Sequence, residues 1–197
     1  MSHRGKAGPK HVMPSEELTR IQVRFYGCLN DFIPRQRRRR FFGYSVKGHP
    51  AVKDAVEALG VPHPEVGYIL LHKQPVDFSC QVNSNDRLEI YPNTIRLKIG
   101  KGVPFLAPSL VRKKFVLDSH LGKLARHLRL LGYDTHYQNV FPDTEIIRLS
   151  NSSRRIILTR DIGLLKNGAV RWGCWIRSTD SLKQLDQVIA RYGPLPR

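Results

Sequence analysis

Apolar and polar residues alternate along IQVRFYG (21–27), the pattern of a strand with one face in a core and the other in water. FFGYSVK (41–47) predicts a second strand, paired with the first as a hairpin whose loop carries the basic run RQRRRR (35–40). Val52, Ala55, Val56 and Leu59 then fall at helical spacing, and Gly60 suits the left-handed turn that ends a helix. GYILLHK (67–73) and RLEIYP (87–92) read as two more strands, with QPVD (74–77) and NSND (83–86) as turns. The order ββαββ is that of a β-grasp domain.

Beyond a Gly-, Pro- and Lys-rich stretch at 95–108, the rhythm changes to strand followed by helix. KFVLD (114–118) predicts a strand, and Ser119 to Leu131 a helix whose buried stripe is Leu121, Leu124, Ala125, Leu128 and Leu131, ended by Gly132. YDTHYQ, DTEIIRLS, RIILT and IGLL continue the alternation. Val170, Trp172, Cys174 and Ile176 share one face of a last strand, and Leu182, Leu185, Ile189 and Tyr192 one face of a last helix. Such alternation implies a mostly parallel sheet flanked by helices. The expected organisation is an α/β chain: a basic tail at 1–18, a β-grasp domain at 19–99, a linker at 100–112 and a second domain at 113–197.

Charge narrows the function. The 197 residues hold 33 Lys+Arg against 16 Asp+Glu, a net charge of +17, which calls for a polyanionic partner such as RNA. Among apolar runs, none reaches the roughly 20 residues that span a bilayer, and MSHRGKAGPKH lacks the apolar centre of a signal peptide, so no membrane partner and a cytoplasmic location are expected. Cys28, Cys80 and Cys174 are widely spaced without a CxxC pair, and predict reduced, packed thiols.

From Ser109 onward there are 16 Lys+Arg but only seven Asp+Glu, and four of those acids stand at strand ends or helix starts: Asp118, Glu145, Asp161 and Asp180. In a parallel sheet the loops after the strands share one edge, where ligands collect. Carboxylates gathered there in a positive field suit Mg²⁺ or Mn²⁺ acting on a phosphodiester, and predict a metal-dependent ribonuclease. Helix capping is the alternative for each acid, most of all for Asp180 and for Asp143. Thr159 and Arg160 could orient a carboxylate or meet phosphate. Lys123, Arg126 and Arg129, three apart on one helix, together with Arg160 and the loop residues Arg37, Arg38, Arg39 and Arg40, are the candidate RNA contacts. Phe41 and Phe42 read as core more than as stacking partners, and His127 carries no catalytic expectation. The rival class is a noncatalytic RNA-binding or ribosome-associated protein.

DSHLGKLARHLRLLGYD (118–134), PDTEII (142–147) and ILTRDIGLL (157–165) together resemble the PIN-like RNase domain first named from the C-terminus of the Mut-seven exonuclease. RFYGCLNDFIP, VKDAVEALGVPHPEV and VDFSCQV with DRLEIYP are similar to the ubiquitin-like β-grasp domain that accompanies it. The resemblance covers residues 21–192 and implies a carboxylate site with Asp118, Glu145 and Asp161 on its acidic positions, Asp180 on a less regular fourth, and Mg²⁺ or Mn²⁺ as cofactor. It also implies a Cys-rich zinc ribbon after the RNase domain, whereas this sequence runs to GPLPR with no CxxC, so truncation ahead of the ribbon is expected. His127 stands where the first helix of the family usually carries an aromatic. Sulfur-carrier proteins share the β-grasp but act through a terminal Gly-Gly. Here the domain runs on into a linker, and a docking or RNA-positioning role is expected instead.

Overall fold

A computed structural model describes residues 18–93 and 113–193. The expected tail, apart from Leu18, and the linker at 100–112 lie outside the described residues. The N-terminal half runs β1 (Leu18–Phe25), β2 (Phe42–Lys47), α1 (Val52–Ala58), β3 (Val66–Leu71), β4 (Gln74–Val76) and β5 (Arg87–Pro92). The strands form one mixed sheet in the order β2-β1-β5-β3-β4, with β1 and β5 parallel and the other pairs antiparallel. The alternation in β1 is literal: Ile21, Val23 and Phe25 are buried, while Arg20 and Gln22 face water. Val52, Ala55 and Val56 of α1 close that core from one side.

Two details depart from the sequence reading. QPVD, expected as a turn, supplies the edge strand β4, where Pro75 is tolerated because an edge position has no inner ladder to break. The β1–β2 connection is no simple loop, since it folds into 3-10 turns at Gly27–Phe32 and Arg35–Arg37.

The C-terminal half runs β6 (Phe115–Leu117), α2 (Gly122–Leu130), β7 (Thr135–Tyr137), α3 (Asp143–Ser153), β8 (Ile156–Thr159), α4 (Ile162–Lys166), β9 (Gly173–Trp175) and α5 (Ser181–Tyr192). Its four strands are all parallel, in the order β7-β6-β8-β9. Because both faces are covered, the strands are apolar throughout rather than alternating. Phe115 and Leu117 point toward α2 and α5, and Val116 and Ile157 toward α3 and α4. Each such fully buried leucine or phenylalanine contributes about 1.5–3 kcal/mol.

Two helix stripes need correction. Leu131, expected inside, is 47% exposed just past the end of α2. On α5 the buried face is Gln184, Val188, Arg191 and Tyr192, while Leu182, expected inside, is 60% exposed. On that buried face lies a charge pair between the halves: Arg191 Nη1 donates to Glu65 Oε2, with Glu65 0% exposed. Glu65 Oε1 also accepts from the Trp175 backbone N–H at 2.5 Å, and Arg191 Nε donates to Asn93 O at 3.0 Å. This network satisfies the inward-facing arginine of α5 beside Val188 and Tyr192.

More contacts join the halves around it. His63 has Nδ1 2.6 Å from Glu57 Oε1 and Nε2 2.7 Å from Val170 O. Arg177 pairs with Asp31 at 3.0 Å, and Lys166 donates to Glu57 O at 3.1 Å. Gly173 lies where a Cβ would collide with the Leu165 side chain of α4, so glycine lets β9 pack closely against that helix. Cys174 is wholly buried in this region, and burial pushes its thiol up to about 11; burial raises the Cys28 thiol as well. At pH 8 Cys174 is therefore expected to resist iodoacetamide in the folded chain and to react fully in guanidinium, which mass spectrometry of the alkylated peptide would check.

Candidate active site

The parallel ladder sets the site. Leu117 of β6 lies beside Leu158 of β8, so Asp118 and Thr159 emerge side by side at the same sheet edge. Asp118 is 9% exposed and serves no helix as a cap, since the 3-10 turn that follows it has no side-chain cap bond. Its carboxylate is held instead by two hydroxyls: Thr159 Oγ1 donates to Oδ2 at 2.9 Å, and Ser119 Oγ to Oδ1 at 3.1 Å. Thr159 Oγ1 in turn accepts from the backbone N–H of Asp161 at 2.9 Å. One threonine thus ties the positions of both aspartates together, the orienting role open to it in the sequence.

Asp161 also caps α4, accepting from Gly163 N–H at 2.6 Å. Asp143 is the first residue of α3, but the capping role expected for it is absent: Pro142 occupies the cap position and no side-chain cap bond forms. Its acid is raised above the usual range, first by partial burial and then by the negative charges of Asp161 and Asp118. Asp118, Asp143 and Asp161 therefore share one negative field.

Glu145 is exposed on α3 and pairs with Arg148 one turn on, at 3.6 Å. Asp143, two residues earlier, is exposed as well, and the charges of Asp161 and Asp118 act on it. Asp180 is the cap of α5, accepting from Leu182 and Lys183 N–H at 3.0 and 2.9 Å, bonds that lower its acid. Among the described residues, no three His, Cys, Asp or Glu side chains stand close enough together to cage a metal as they are arranged.

The surroundings are built to hold the loop after β6 in place. Tyr137 OH donates to Ser119 O at 2.8 Å, and a Cβ on Gly122 would sit 2.7 Å from that hydroxyl. Lys123 and Arg126 are exposed on α2, whereas Arg129 spends its Nε on Thr135 O at 3.0 Å, and His127 turns toward Ser181 Oγ at 3.4 Å. Arg160 is exposed, with its carbonyl accepting from Trp175 Nε1 at 3.3 Å. In the N-terminal half Arg37, Arg39 and Arg40 are exposed, while Arg38 is half-buried and donates to Ile33 O at 2.9 Å. Phe42 is core as expected, but Phe41 is half-buried beneath the Arg87 guanidinium, 3.8 Å from its ring centroid.

Two family models match the chain, Mut7-C ubiquitin over residues 18–98 and the Mut7-C RNAse domain over residues 113–196. Nothing among the curated proteins matches. The solution structure of the Haloferax volcanii HVO 2177 protein is similar at 13% identity, covering 49% of this chain and 100% of its own, with a TM-score of 0.32, too low to bear on the fold. In the described residues no helix is long and apolar enough to cross a membrane. With a mixed five-stranded sheet where one model matches and an all-parallel sheet where the other does, the chain has the architecture of a Mut7-C ubiquitin domain followed by a Mut7-C RNAse domain, and nuclease-like chemistry on RNA is what the RNAse domain suggests.

Proposed function

We propose that this chain is a metal-dependent endoribonuclease whose site is the edge of the parallel sheet that carries Asp118 and Asp161, with Asp143 at the start of α3 as the third acid. The observation that carries the reading is the pair Asp118 and Asp161 at one edge of the parallel sheet, both tied to Thr159 Oγ1, in a half where bases far outnumber acids. Like charges held together without a compensating cation oppose one another. Carboxylate oxygens suit Mg²⁺ or Mn²⁺, and Asp118, Asp143 and Asp161 are the residues that would hold it by closing on the ion from the wider spacing they have here. When bound, such an ion supplies a water of lowered pKa and neutralises charge on the phosphate.

The chain's own groups do the rest. Thr159 and Ser119 fix the Asp118 carboxylate, so that its orientation does not have to be set during the reaction. Thr159 also anchors the backbone of Asp161. Arg160, Lys123 and Arg126 lie on exposed positions after β8 and along α2, available to the phosphates of an RNA strand. Glu145 and Asp180 are assigned to ion pairing and helix capping, not to the ion.

A cleavage assay on a labelled RNA with and without Mn²⁺ tests this. Product should form only with the divalent ion, and Asp161→Asn should lose it while melting near the wild-type temperature, because asparagine caps a helix as well as aspartate. The rival reading, a noncatalytic RNA-binding or ribosome-associated protein, draws on the open spacing of the acids. It requires intact RNA under all divalent conditions, with binding unaffected by Asp161→Asn.

A further inference from the structure

The outer face of the N-terminal sheet has a composition that neither the fold nor the proposed site uses. Along β1, Arg20, Gln22 and Arg24 point away from the core, and Arg87 and Glu89 do the same on the adjoining β5. Here five side chains form a ladder. Arg87 lies 3.8 Å from the Phe41 ring centroid, Arg24 lies 5.8 Å from Phe41 and 4.6 Å from Tyr26, and Tyr26 stacks on Tyr91 at 4.1 Å and 13°. The one carboxylate in the group, Glu89, accepts from both tyrosine hydroxyls, at 2.6 Å from Tyr26 and 3.1 Å from Tyr91. Its charge is thereby tied to the tyrosines, and the rings are locked in place.

The β1–β2 connection adds four exposed guanidinium groups, those of Arg35, Arg37, Arg39 and Arg40. Its shape is fixed rather than loose. Asn30 donates to Phe25 O and Gly27 O at 2.9 and 3.0 Å and accepts from the Arg39 backbone N–H at 2.7 Å, and Arg39 adopts a positive φ of 59°. The connection runs directly into Phe41 and β2, so the loop arginines and the ladder belong to one surface.

We infer that this sheet face and the arginine loop beside it form a binding platform for single-stranded RNA, holding phosphates through Arg20, Arg24, Arg87 and the loop arginines and bases through the half-buried rings of Phe41 and Tyr91, with Tyr26 fixing Tyr91 in place. Flat rings fixed at defined heights accept bases of any identity, and guanidinium groups between them match the alternation of base and phosphate along a strand. An acidic protein surface would satisfy the arginines but leave the rings without a use. The choice of RNA rests on the nuclease reading; the platform itself rests on the ladder.

The test is fluorescence anisotropy of a labelled 12-nucleotide oligouridylate with the full chain in EDTA, over a series of salt concentrations. Arg24→Gln/Arg87→Gln should weaken binding about tenfold or more and make the slope of log affinity against log salt less negative by about 1.4, at about 0.7 per phosphate contact on a single strand. Phe41→Ala should weaken binding by about tenfold with the slope unchanged, since a stacked base carries no counterion with it. Wild-type affinity and slope in both variants overturn the platform, as does absence of oligonucleotide binding by the unaltered chain. Loss of binding in the variants alongside RNA that stays uncut in Mn²⁺ upholds the platform and removes the nuclease reading. Normal cleavage with unaltered binding in the variants does the reverse.

Discussion

Asp118→Asn is expected to lower Mn²⁺-dependent RNA cleavage by about 10³-fold or more, the size of effect that follows from losing several kcal/mol of charge stabilisation at about 1.4 kcal/mol per tenfold. The fold should survive. An asparagine can keep its oxygen toward Thr159, which donates at that position, and turn its amide toward Ser119, whose hydroxyl can rotate to accept. Single-turnover cleavage rates and a thermal melt on the same preparation check both halves of the prediction. Cleavage within about tenfold of wild type by a folded Asp118→Asn would remove Asp118 from the chemistry.

The largest effect on stability is expected from Glu65→Ala. Glu65 is wholly buried, and its carboxylate holds Arg191 of α5 and the Trp175 backbone of β9. Removing it leaves a guanidinium buried without its counter-charge, a cost of about 3–5 kcal/mol out of a total stability of about 5–15 kcal/mol. For a chain of this size that lowers the melting temperature by roughly 6–20 °C. Arg191→Met and Glu65→Leu should each be costly for the same reason, whereas the double variant Glu65→Leu/Arg191→Met should be milder than those two single changes added together. Strict additivity in that cycle would mean that the pair is not coupled. The same substitutions act on both sheets at once, so the N-terminal half is expected to buttress β9 and α5 rather than to hang from the RNase half as a free module.

Much of the architecture was legible because it rests on local periodicity. The apolar run RIILT places β8 to within one residue, and the period of two in IQVRFYG finds β1, which begins three residues earlier, at Leu18, and ends two earlier, at Phe25. The repeated order of strand, then acid, then helix placed Asp118 and Asp161 at one edge, where a shared threonine joins them. What escaped the sequence depends on helix phase and on distant partners. Asp143 and Glu145 both open α3, yet two residues turn a helix by about 200°, so only one of them can face the sheet edge. Which one follows from Ile146, Ile147 and Ser150 taking the buried side. The inward turn of Arg191 is invisible to the sequence because no local pattern reports a partner 126 residues away. Leu182 and Leu131 were read as core because an apolar residue at the right spacing looks the same at a frayed or solvated end as in the middle of a helix. The stacking role of Phe41 was hidden because its partners, Arg24 and Arg87, come from two other strands.

The three aspartates are tested most directly by calorimetric titration of Mn²⁺ into the wild-type chain, Asp143→Asn and Glu145→Gln, with cleavage measured on each. Wild type and Glu145→Gln should bind the ion and cut RNA, and Asp143→Asn should do neither. Ion binding and cleavage retained by Asp143→Asn but lost in Glu145→Gln would contradict the arrangement of Asp118, Asp143 and Asp161 as the metal site.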